Sequence, residues 1–201
     1  MGGSGYARIV DREALLAGVV QPGDRAPAPA ALRLVQAFVN TVDREHGPDL
    51  FDDPAGLEAW LERHVEPADV SPEGLESARA VREALRALLL ANNGEAYDAA
   101  AYDVLTRAAA RARLEPVFAA GGATLVPAAT GVDAALGRIL AAAFAAMADG
   151  QWKRMKACPR DVCGWAFYDR SSNASATWCS MQVCGGRMKA GAYYRRRRGQ
   201  A

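Results

Sequence analysis

Two stretches of equal spacing, Cys158-Pro-Arg-Asp-Val-Cys163 and Cys179-Ser-Met-Gln-Val-Cys184, contain all four cysteines of the chain. Zinc prefers four soft ligands at tetrahedral corners, and two short turns with two thiolates each supply them. The fifteen residues between the pairs are long enough for a small hairpin that brings the turns together. The pattern predicts one structural zinc ion bound by Cys158, Cys163, Cys179 and Cys184, with no open position for catalysis.

Disulfides, a redox dithiol and unrelated core cysteines are the other interpretations of these cysteines. Disulfides occur mostly in secreted chains, and the first residues contain no basic and apolar signal segment, which favours the reducing cytosol. A thioredoxin-type pair has C-x-x-C spacing beside a βαβ pattern, whereas these pairs are wider and follow a helical pattern. Structural zinc is therefore favoured, and we expect a cytoplasmic protein.

The net charge of +1 is divided very unevenly along the chain. From Gln151 onward there are eleven of the 24 lysines and arginines but two of the 23 acidic residues, so the formal charge is +9 there and −8 in residues 1–150. A compact segment with such an excess of positive charge suits a polyanionic partner. Double-stranded DNA is the partner that we expect.

The length and composition indicate a soluble globular protein with one medium and one small domain. The chain has 201 residues, of which 51% are hydrophobic, and this is enough for a substantial core. No apolar run approaches the roughly 20 residues that cross a bilayer, the best being the short alanine-rich stretch 139–147.

Apolar residues recur at helical spacing in most of the first 150 residues. Asp53-Pro54 and Ser71-Pro72 are typical helix starts, and Asn92-Asn93-Gly94 is a typical stop. The predicted helices cover residues 30–43, the region from Asp53 to Val65, the region from Ser71 to about residue 91, residues 96–111 and residues 132–147.

Two apolar segments, 114–118 and 124–126, flank a glycine-containing turn and predict a short β-hairpin. The fold class is therefore mainly α with some β structure (α+β). We expect a flexible or irregular segment at 1–29, a helical domain with a hairpin at 30–150, and a small four-cysteine domain at 151–201.

The last quarter of the chain resembles the CGNR zinc-finger family. The resemblance depends on a basic entry, a cysteine turn, an aromatic segment, a Trp-Cys pair and a basic exit. Here these parts are Lys156-Ala157-Cys158, Cys163-Gly164-Trp165-Ala166-Phe167-Tyr168-Asp169, Ser171, Asn173, Trp178-Cys179-Ser180-Met181 and Cys184-Gly185-Gly186-Arg187. The sequence departs from the signature at Gly186, where the family usually has asparagine.

The preceding region is similar to the helical domain called ABATE, described as a putative stress-induced transcription regulator. Phe38-Val39-Asn40-Thr41, the Trp60-Leu61 pair and Val81-Arg82-Glu83-Ala84-Leu85-Arg86 carry this resemblance. It implies a bacterial DNA-binding regulator of the stress response, in which a sensing or assembly domain precedes the zinc finger.

The residues of the predicted finger suggest how it could fold and bind. Trp165, Phe167 and Trp178 can form a miniature core that is too small to fold without the metal. A helix that starts near Gly186 would carry basic residues and tyrosines toward the end of the chain. The candidate nucleic-acid contacts are Lys153, Arg154, Lys156, Arg170, Arg187, Lys189, Arg195, Arg196, Arg197 and Arg198.

Each candidate contact also has a simpler interpretation. Arg195 to Arg198 could be a solvated tail, because terminal runs of like charge are often disordered. Arg170 could pair with Asp169 or Asp161. The aromatic residues near the cysteines are more typical of packing over a zinc site than of base stacking.

Four polar residues of the helical region form a candidate effector pocket: Asn40, Thr41, Arg82 and Arg86. In the alternative, Asn40 and Thr41 end their helix, and the two arginines pair with Glu83 or with surface acids.

No pattern in the sequence favours an enzyme. His46 and His64 belong to no serine or cysteine motif, and phosphate-binding loops and His-Glu-x-x-His are absent from the sequence. We therefore expect a transcription regulator whose zinc finger binds DNA, with a helical domain for sensing or homodimerisation. The alternatives are a zinc-containing module for RNA or protein, and a thiol-based redox sensor.

Overall fold

The computed structural model describes residues 10–18, 21, 25–120 and 122–190. These residues form six α-helices, two two-stranded sheets, three short helical turns and a final helical stretch at 186–190. The helices are α1 (Arg12–Ala17), α2 (Leu32–Val39), α3 (Pro54–His64), α4 (Pro72–Ala91), α5 (Ala99–Ala112) and α6 (Gly131–Ala148). The strands are β1 (Leu114–Ala119), β2 (Gly122–Pro127), β3 (Met155–Ala157) and β4 (Ala166–Tyr168). The prediction of a mainly helical α+β fold is confirmed.

The starts of α3 and α4 are formed by the residues that the sequence indicated. The Asp53 carboxylate accepts a hydrogen bond from the Gly56 backbone N–H at 2.7 Å, and the Ser71 hydroxyl accepts one from Gly74 at 3.1 Å. Each cap satisfies a backbone donor that has no partner within its helix. The proline after each cap lacks an N–H and fits the first helical position at no cost.

Helix α2 is shorter than the predicted 30–43. It begins at Leu32 and ends at Val39, because Ala30 has a left-handed φ of 44° and the chain leaves the helix at Asn40. After the helix the chain turns and forms an isolated bridge between Val42 and Asp49.

The helical core is centred on three aromatic rings from three different segments. Phe38, Phe51 and Trp60 are all fully buried, and the Phe38 and Trp60 ring centroids are 5.3 Å apart. Tilted and edge-on ring pairs at such distances add to the stabilisation from apolar burial. The rings fix α2 and α3 against the 3-10 turn Leu50–Asp52.

Helix α6 is long and apolar enough to cross a membrane by length and composition alone, with a mean hydropathy of 1.5 over 18 residues. The search for uninterrupted apolar runs in the sequence did not find this helix, because Asp133 and Arg138 interrupt its apolar residues. In the fold, Leu136 and Ile139 on this helix are buried in the helical core. Packing against other elements accounts for the apolar composition of this face.

Strands β1 and β2 form the predicted hairpin and pair Leu114 with Pro127 and Ala119 with Gly122. The side chains of Leu114 and Pro127 approach Gly137 of α6, where a Cβ atom would lie 3.0 Å from Pro127. The hairpin therefore packs against α6 at a glycine. Phe118, near the tip, is largely exposed.

The small sheet β3–β4 separates two clusters of buried residues. Alternate residues of a strand face opposite sides. Ala166 and Tyr168 belong to the helical core, whereas Phe167 belongs to a second cluster with the four cysteines. The hydrophobic core of the helices thus includes residues beyond 150. The expected domain boundary between residues 150 and 151 therefore does not coincide with the boundary between the two buried clusters.

Part of the segment expected to be flexible or irregular is folded. Helix α1 is capped by Asp11, whose carboxylate accepts a hydrogen bond from the Ala14 N–H at 2.8 Å. Leu15 is buried in the helical core. Hydrogen bonds of Arg12 to the Asp49 carbonyl and of His64 to the Leu16 carbonyl also hold this short helix in place. The six-residue sequence was too short to reveal a helical period.

Candidate metal centre

The four cysteines converge in one buried cluster. All four Sγ atoms lie within 4.8 Å of one another. The Cys179 Sγ atom lies 3.6 Å from the Sγ atoms of both Cys163 and Cys184. Tetrahedral zinc with Zn–S bonds of about 2.3 Å requires S···S distances of about 3.8 Å. The cluster therefore fits one zinc ion, and the predicted structural metal site with its four thiolates is confirmed.

Backbone hydrogen bonds shape the first cysteine turn. The Cys158 N–H donates to the Trp165 carbonyl at 2.9 Å, and the Cys163 N–H donates to the Arg160 carbonyl at 2.8 Å. Gly164 follows with a φ of 62°, a left-handed conformation that glycine adopts without steric cost. The turn thus points both thiols inward before the chain enters β4.

The second cysteine turn is a π-helical turn, Met181–Gly185. The Ser180 hydroxyl accepts a hydrogen bond from the Val183 N–H at 3.3 Å and begins the turn. A Cβ atom at Gly185 would lie 2.5 Å from the Met181 sulfur and 3.0 Å from the Trp178 ring. A side chain at position 185 would have to displace the Met181 side chain and press on the Trp178 ring, so the packing here favours glycine.

The predicted miniature aromatic core is present around the cysteines. Phe167 is fully buried with the four thiols, and Trp165 and Trp178 pack against the same cluster. These rings provide the apolar surroundings of the metal site, as the packing interpretation predicted. An apolar shell limits the access of water to the metal and its thiolates.

Arg25, which the sequence analysis missed, covers the metal centre from outside. Its Nε donates to the Cys179 carbonyl at 2.6 Å, its Nη2 donates to the Trp178 carbonyl at 3.0 Å, and its guanidinium lies over the Phe167 ring at 4.6 Å. The contact joins residues more than 150 positions apart, so local sequence carried no signal for it.

Family comparisons identify both parts of the chain. The model named "Putative stress-induced transcription regulator" (ABATE) matches residues 32–150, which is more than half of the chain. The chain belongs to the ABATE family. The CGNR zinc finger model matches residues 154–197. Among curated proteins no relative was found.

Gly186 of the CGNR finger, where the sequence departs from the family signature, has an ordinary right-handed helical conformation with φ −62°. A Cβ atom there would meet only the Met181 carbonyl oxygen, at 3.7 Å. The position therefore has room for a side chain, and no backbone requirement selects glycine.

Lys156 of the finger is buried, and this placement does not agree with its predicted contact with nucleic acid. Its ammonium group donates to the Asp169 carboxylate at 3.0 Å and to the carbonyls of Ala174 and Ala176 at 2.6 and 3.0 Å. These partners satisfy all three donors of the ammonium group. Lys156 thus ties the loop before the second cysteine pair to β3.

Asp169 is the charged partner that makes the burial of Lys156 possible. Burial raises its pKa, but hydrogen bonds from Ser171 and Lys156, together with the Ser171 and Ala176 N–H groups, outweigh this effect and lower the pKa to about 2. The carboxylate is fully buried and stays charged at neutral pH. Sequence reasoning had considered Asp169 only as a partner for Arg170.

Two further basic candidates also make internal contacts. Arg154 donates to the carbonyls of Asp169 and Ser171 at 3.0 and 2.7 Å. Arg170 is exposed, donates to the Pro27 carbonyl at 2.8 Å and lies 5.3 Å over the Tyr168 ring. Its expected alternative pairing with Asp169 or Asp161 does not occur among the described residues.

The remaining basic candidates differ in exposure and pairing. Lys153 and Lys189 are exposed. Arg187 is half-exposed and donates to Glu45 of the ABATE domain at 2.6 Å. Arg195 to Arg198 lie outside the described residues.

Residues 186–190 continue from the second cysteine turn as a helix, and all five are exposed. No described element covers this helix, whereas the preceding Cys184 and Gly185 are buried. The zinc turn therefore holds the start of an exposed helix that contains Arg187 and Lys189.

Asn40, predicted to line an effector pocket, instead binds the finger. Its side-chain amide donates to the Ala166 carbonyl at 2.9 Å, and its side-chain oxygen accepts from the Ala166 N–H at 2.7 Å. Gln36 donates to the same carbonyl at 3.1 Å. The crevice beside Asn40 has no volume accessible to a water molecule.

The other three predicted pocket residues are likewise engaged within the protein. The Thr41 hydroxyl donates to the Phe38 carbonyl at 2.9 Å, and Arg82 forms a bidentate pair with Asp49 at 2.5 and 2.7 Å. Arg86 is buried and donates to the Val39 carbonyl at 2.7 Å, to the Gly164 carbonyl and to Glu83. The pairing of both arginines with Glu83 agrees with the alternative considered from the sequence.

Asn92 and Asn93 hold the finger to the end of α4. The Asn92 amide donates to the carbonyls of Trp152 and Met155 at 2.8 and 2.9 Å, and the Asn93 amide donates to those of Ala157 and Thr177 at 2.9 and 2.7 Å. The sequence marked these asparagines only as a helix stop. Their side-chain amides are hydrogen-bond donors that need partners, but the sequence could not show which, because the acceptors are more than 59 residues away.

Proposed function

We propose that the protein is a bacterial, cytoplasmic DNA-binding transcription regulator and not an enzyme. The exposed helix at 186–190, which starts at the zinc-bound turn, carries this proposal. An exposed helix with two basic residues and one buried, metal-bound end suits insertion into a groove or contact with phosphates.

Charge supports a polyanion as the partner. The segment from Gln151 onward has a formal charge of +9. Lys156 and Arg154 are occupied internally, so the proposed contacts are Lys153, Arg170, Arg187, Lys189 and Arg195 to Arg198. Phosphate contacts by such residues supply most of the affinity for DNA and make it dependent on salt.

In this proposal the ABATE domain both supports the finger and brings two fingers together as a homodimer. A single small module buries little surface on DNA, and two copies provide the area that specific binding needs. A small-molecule effector would bind elsewhere than at Asn40, Thr41, Arg82 and Arg86, because these residues already have partners inside the protein.

Binding to a fluorescein-labelled duplex over a salt series tests the proposed function directly. We expect binding that weakens steeply with salt and is lost in Cys179→Ser, because zinc holds the start of the exposed helix. Lys189→Gln should weaken binding roughly three- to tenfold and reduce the salt slope by about one.

Arg33→Gln is the matched control for Lys189→Gln, since it removes one positive charge from an exposed position on α2. Its affinity for the duplex should stay close to that of the wild type. Equal effects of both substitutions would mean that binding depends on net charge only. Stronger binding to single-stranded RNA than to the duplex would favour an RNA-binding module.

A further inference from the structure

Glu45 of the ABATE domain is held by two arginines of the finger. Its Oε2 accepts from Arg160 Nη1 at 2.6 Å, and its Oε1 accepts from Arg160 Nη2 at 2.7 Å and from Arg187 Nη1 at 2.6 Å. Arg160 thus binds the carboxylate with both terminal nitrogens, and Arg187 closes the pair from the exposed helix. This arrangement is not explained by the zinc site itself.

The position of Glu45 is set by the loop that presents it. The buried Asp43 carboxylate accepts hydrogen bonds from the Glu45 and His46 N–H groups at 3.0 and 3.2 Å. His46 also faces Glu45, with its Nε2 at 3.9 Å from the carboxylate. The loop is therefore preorganised to hold a negative charge against the finger.

Arg160 links this contact to the metal centre. Its Nη1 lies 3.9 Å from the Cys184 sulfur, and its backbone carbonyl accepts the Cys163 N–H. The guanidinium therefore has a fixed place between a zinc ligand and Glu45. Arg187 lies three residues after Cys184, so the same metal positions both arginines.

Paired guanidinium groups that bind a carboxylate in this way also suit a phosphate group. Arg recognises both anions through parallel N–H···O bonds to two oxygens. The side chains of Arg187, Glu45 and Arg160 are 46%, 22% and 16% exposed, so a phosphate can approach the pair from the side of Arg187. The carboxylate therefore occupies positions that suit the oxygens of a phosphodiester.

We propose that Arg160 and Arg187 form a phosphodiester-binding pair, and that Glu45 occupies this pair as an internal competitor until nucleic acid displaces it. The inference rests on the proposed function for the identity of the ligand. It adds Arg160 as a binding residue and gives Glu45 an autoinhibitory role.

The alternative role of Glu45 is that of a structural tie between the ABATE domain and the finger. The two roles predict opposite effects of removing its charge. Loss of an internal competitor strengthens duplex binding, whereas loss of a structural tie loosens the finger and weakens binding.

Glu45→Gln in the full-length zinc-bound protein distinguishes these roles. The substitution keeps the size of the side chain but removes its charge. We expect duplex affinity to rise roughly three- to tenfold, as for the removal of one partly exposed ion pair, and the salt slope to increase by about one to two. Zinc content and the thermal midpoint, measured on the same samples, should show that the finger stays folded.

Glu66→Gln is the matched control. Glu66 also pairs with an arginine, Arg138, at 2.7 Å, but neither residue belongs to the finger. This control makes the same change in net charge and should alter duplex affinity by less than about twofold. The double substitution Glu45→Gln/Arg187→Gln should not show the increased duplex affinity of Glu45→Gln, because one arginine of the proposed pair is then missing.

Inorganic phosphate provides a second measurement that does not depend on DNA binding. Phosphate, compared with chloride at equal ionic strength, should raise the thermal midpoint of Glu45→Gln more than that of the wild type or Glu66→Gln. If phosphate has this effect but no variant binds the duplex, the arginine pair is supported and the proposed function is rejected. If the protein binds the duplex, Glu45→Gln does not strengthen this binding, and phosphate has no added effect on Glu45→Gln, the arginine pair is rejected and the proposed function remains supported.

Discussion

The two buried clusters of this protein lie on opposite sides of one small sheet and are stabilised by different interactions. On one side, Ala166 and Tyr168 of β4 join the helical core, which is large and apolar. On the other side, Phe167 joins four cysteines in a cluster that has few apolar side chains. Packing can hold the first cluster, whereas the second needs the metal.

This comparison shows that the finger is not independent of the ABATE domain. Its sheet is packed on the helical core and is hydrogen-bonded to Asn40, Asn92 and Asn93, and Arg86 donates to Gly164 just before the sheet's second strand. The cysteine turns, by contrast, have their strongest mutual contacts at the metal site. We therefore expect metal loss to disorder the turns and the exposed helix while the sheet stays in place.

The largest effect should come from Cys179→Ser, which removes one zinc ligand. Zinc content should fall from one per chain to near zero, and amide exchange should become fast in 158–165 and 178–190, because structural zinc supplies roughly 10 kcal/mol or more of folding free energy to zinc-finger peptides. Helices α2 to α6 should keep their protection. Val162→Ser, at an exposed position in the first turn, is the control and should retain zinc.

A loss of protection throughout the helices of Cys179→Ser would contradict the distinction between the two clusters. Far-UV circular dichroism of the same protein gives an independent measure of the retained helix. Chelation of zinc from the wild-type protein should reproduce the pattern of the substitution.

Arg86→Met should destabilise both clusters, because this buried guanidinium joins the Val39 and Gly164 carbonyls. Its removal leaves two buried carbonyl acceptors without a donor, while Glu83 keeps Arg82 as a partner. The expected cost is roughly 3–5 kcal/mol in the free energy of unfolding. Urea denaturation measures this cost. Arg138→Met removes an arginine of a surface pair and should cost less than about 1 kcal/mol.

Asp169→Asn tests how charge holds the finger loop to the sheet. The pKa of Asp169 is lowered to about 2 from an ordinary value of 3.8, so the folded state favours the ionised form. This contribution of about 2 kcal/mol is fully present above pH 4 to 5 and is lost as the pH falls toward 2.

The free energy of unfolding should therefore fall by at least about 2 kcal/mol at pH 7 in Asp169→Asn, since Lys156 also loses its buried partner. The difference between variant and wild type should shrink as the pH is lowered from 5 toward 2. Asp161→Asn, at an exposed position of the first cysteine turn, is the charge control. A difference that stays constant over this pH range would exclude the ionised Asp169 as the cause.

The smallest effect should come from two adjacent glycines at the end of the second turn. Gly186→Ala should stabilise the exposed helix by about 0.5–1 kcal/mol, because the position is helical and open. Gly185→Ala should instead be destabilising, because its Cβ would come too close to Met181 and Trp178. Thermal midpoints of the two variants should move in opposite directions, and a shift in the same direction would show that the packing around Gly185 is loose.

Much of the fold followed from local patterns in the sequence. Asp53 and Ser71 marked helix starts because a cap needs only residues three positions apart. The β1–β2 hairpin followed from two apolar segments beside a turn. The zinc ligands followed from equal cysteine spacing, since the chemistry of tetrahedral zinc restricts the ligand types and their number.

The roles of the polar residues could not be predicted in the same way. Asn40 and Arg86 were predicted to line a pocket, but they satisfy backbone groups of the finger. Lys156 was predicted to contact nucleic acid, but it is buried on Asp169. A polar side chain can serve a ligand or a distant backbone group equally well, and its sequence neighbours do not distinguish the two.

The sequence by itself determined the presence of helices α2 to α6, the four-thiolate zinc site, the basic character of the last fifty residues and the family. Periodicity, capping, ligand spacing and charge are properties of short segments, so they can be read locally. Only the tertiary structure decided that the sheet of the finger belongs to the helical core, that Arg25 covers the metal centre and that Glu45 meets Arg160 and Arg187. The hydrogen bonds of Asn92 and Asn93 to the sheet join residues more than 60 positions apart, and the contacts of Arg25 and Glu45 join residues more than 100 positions apart. Their partners are selected by the packing of the whole chain.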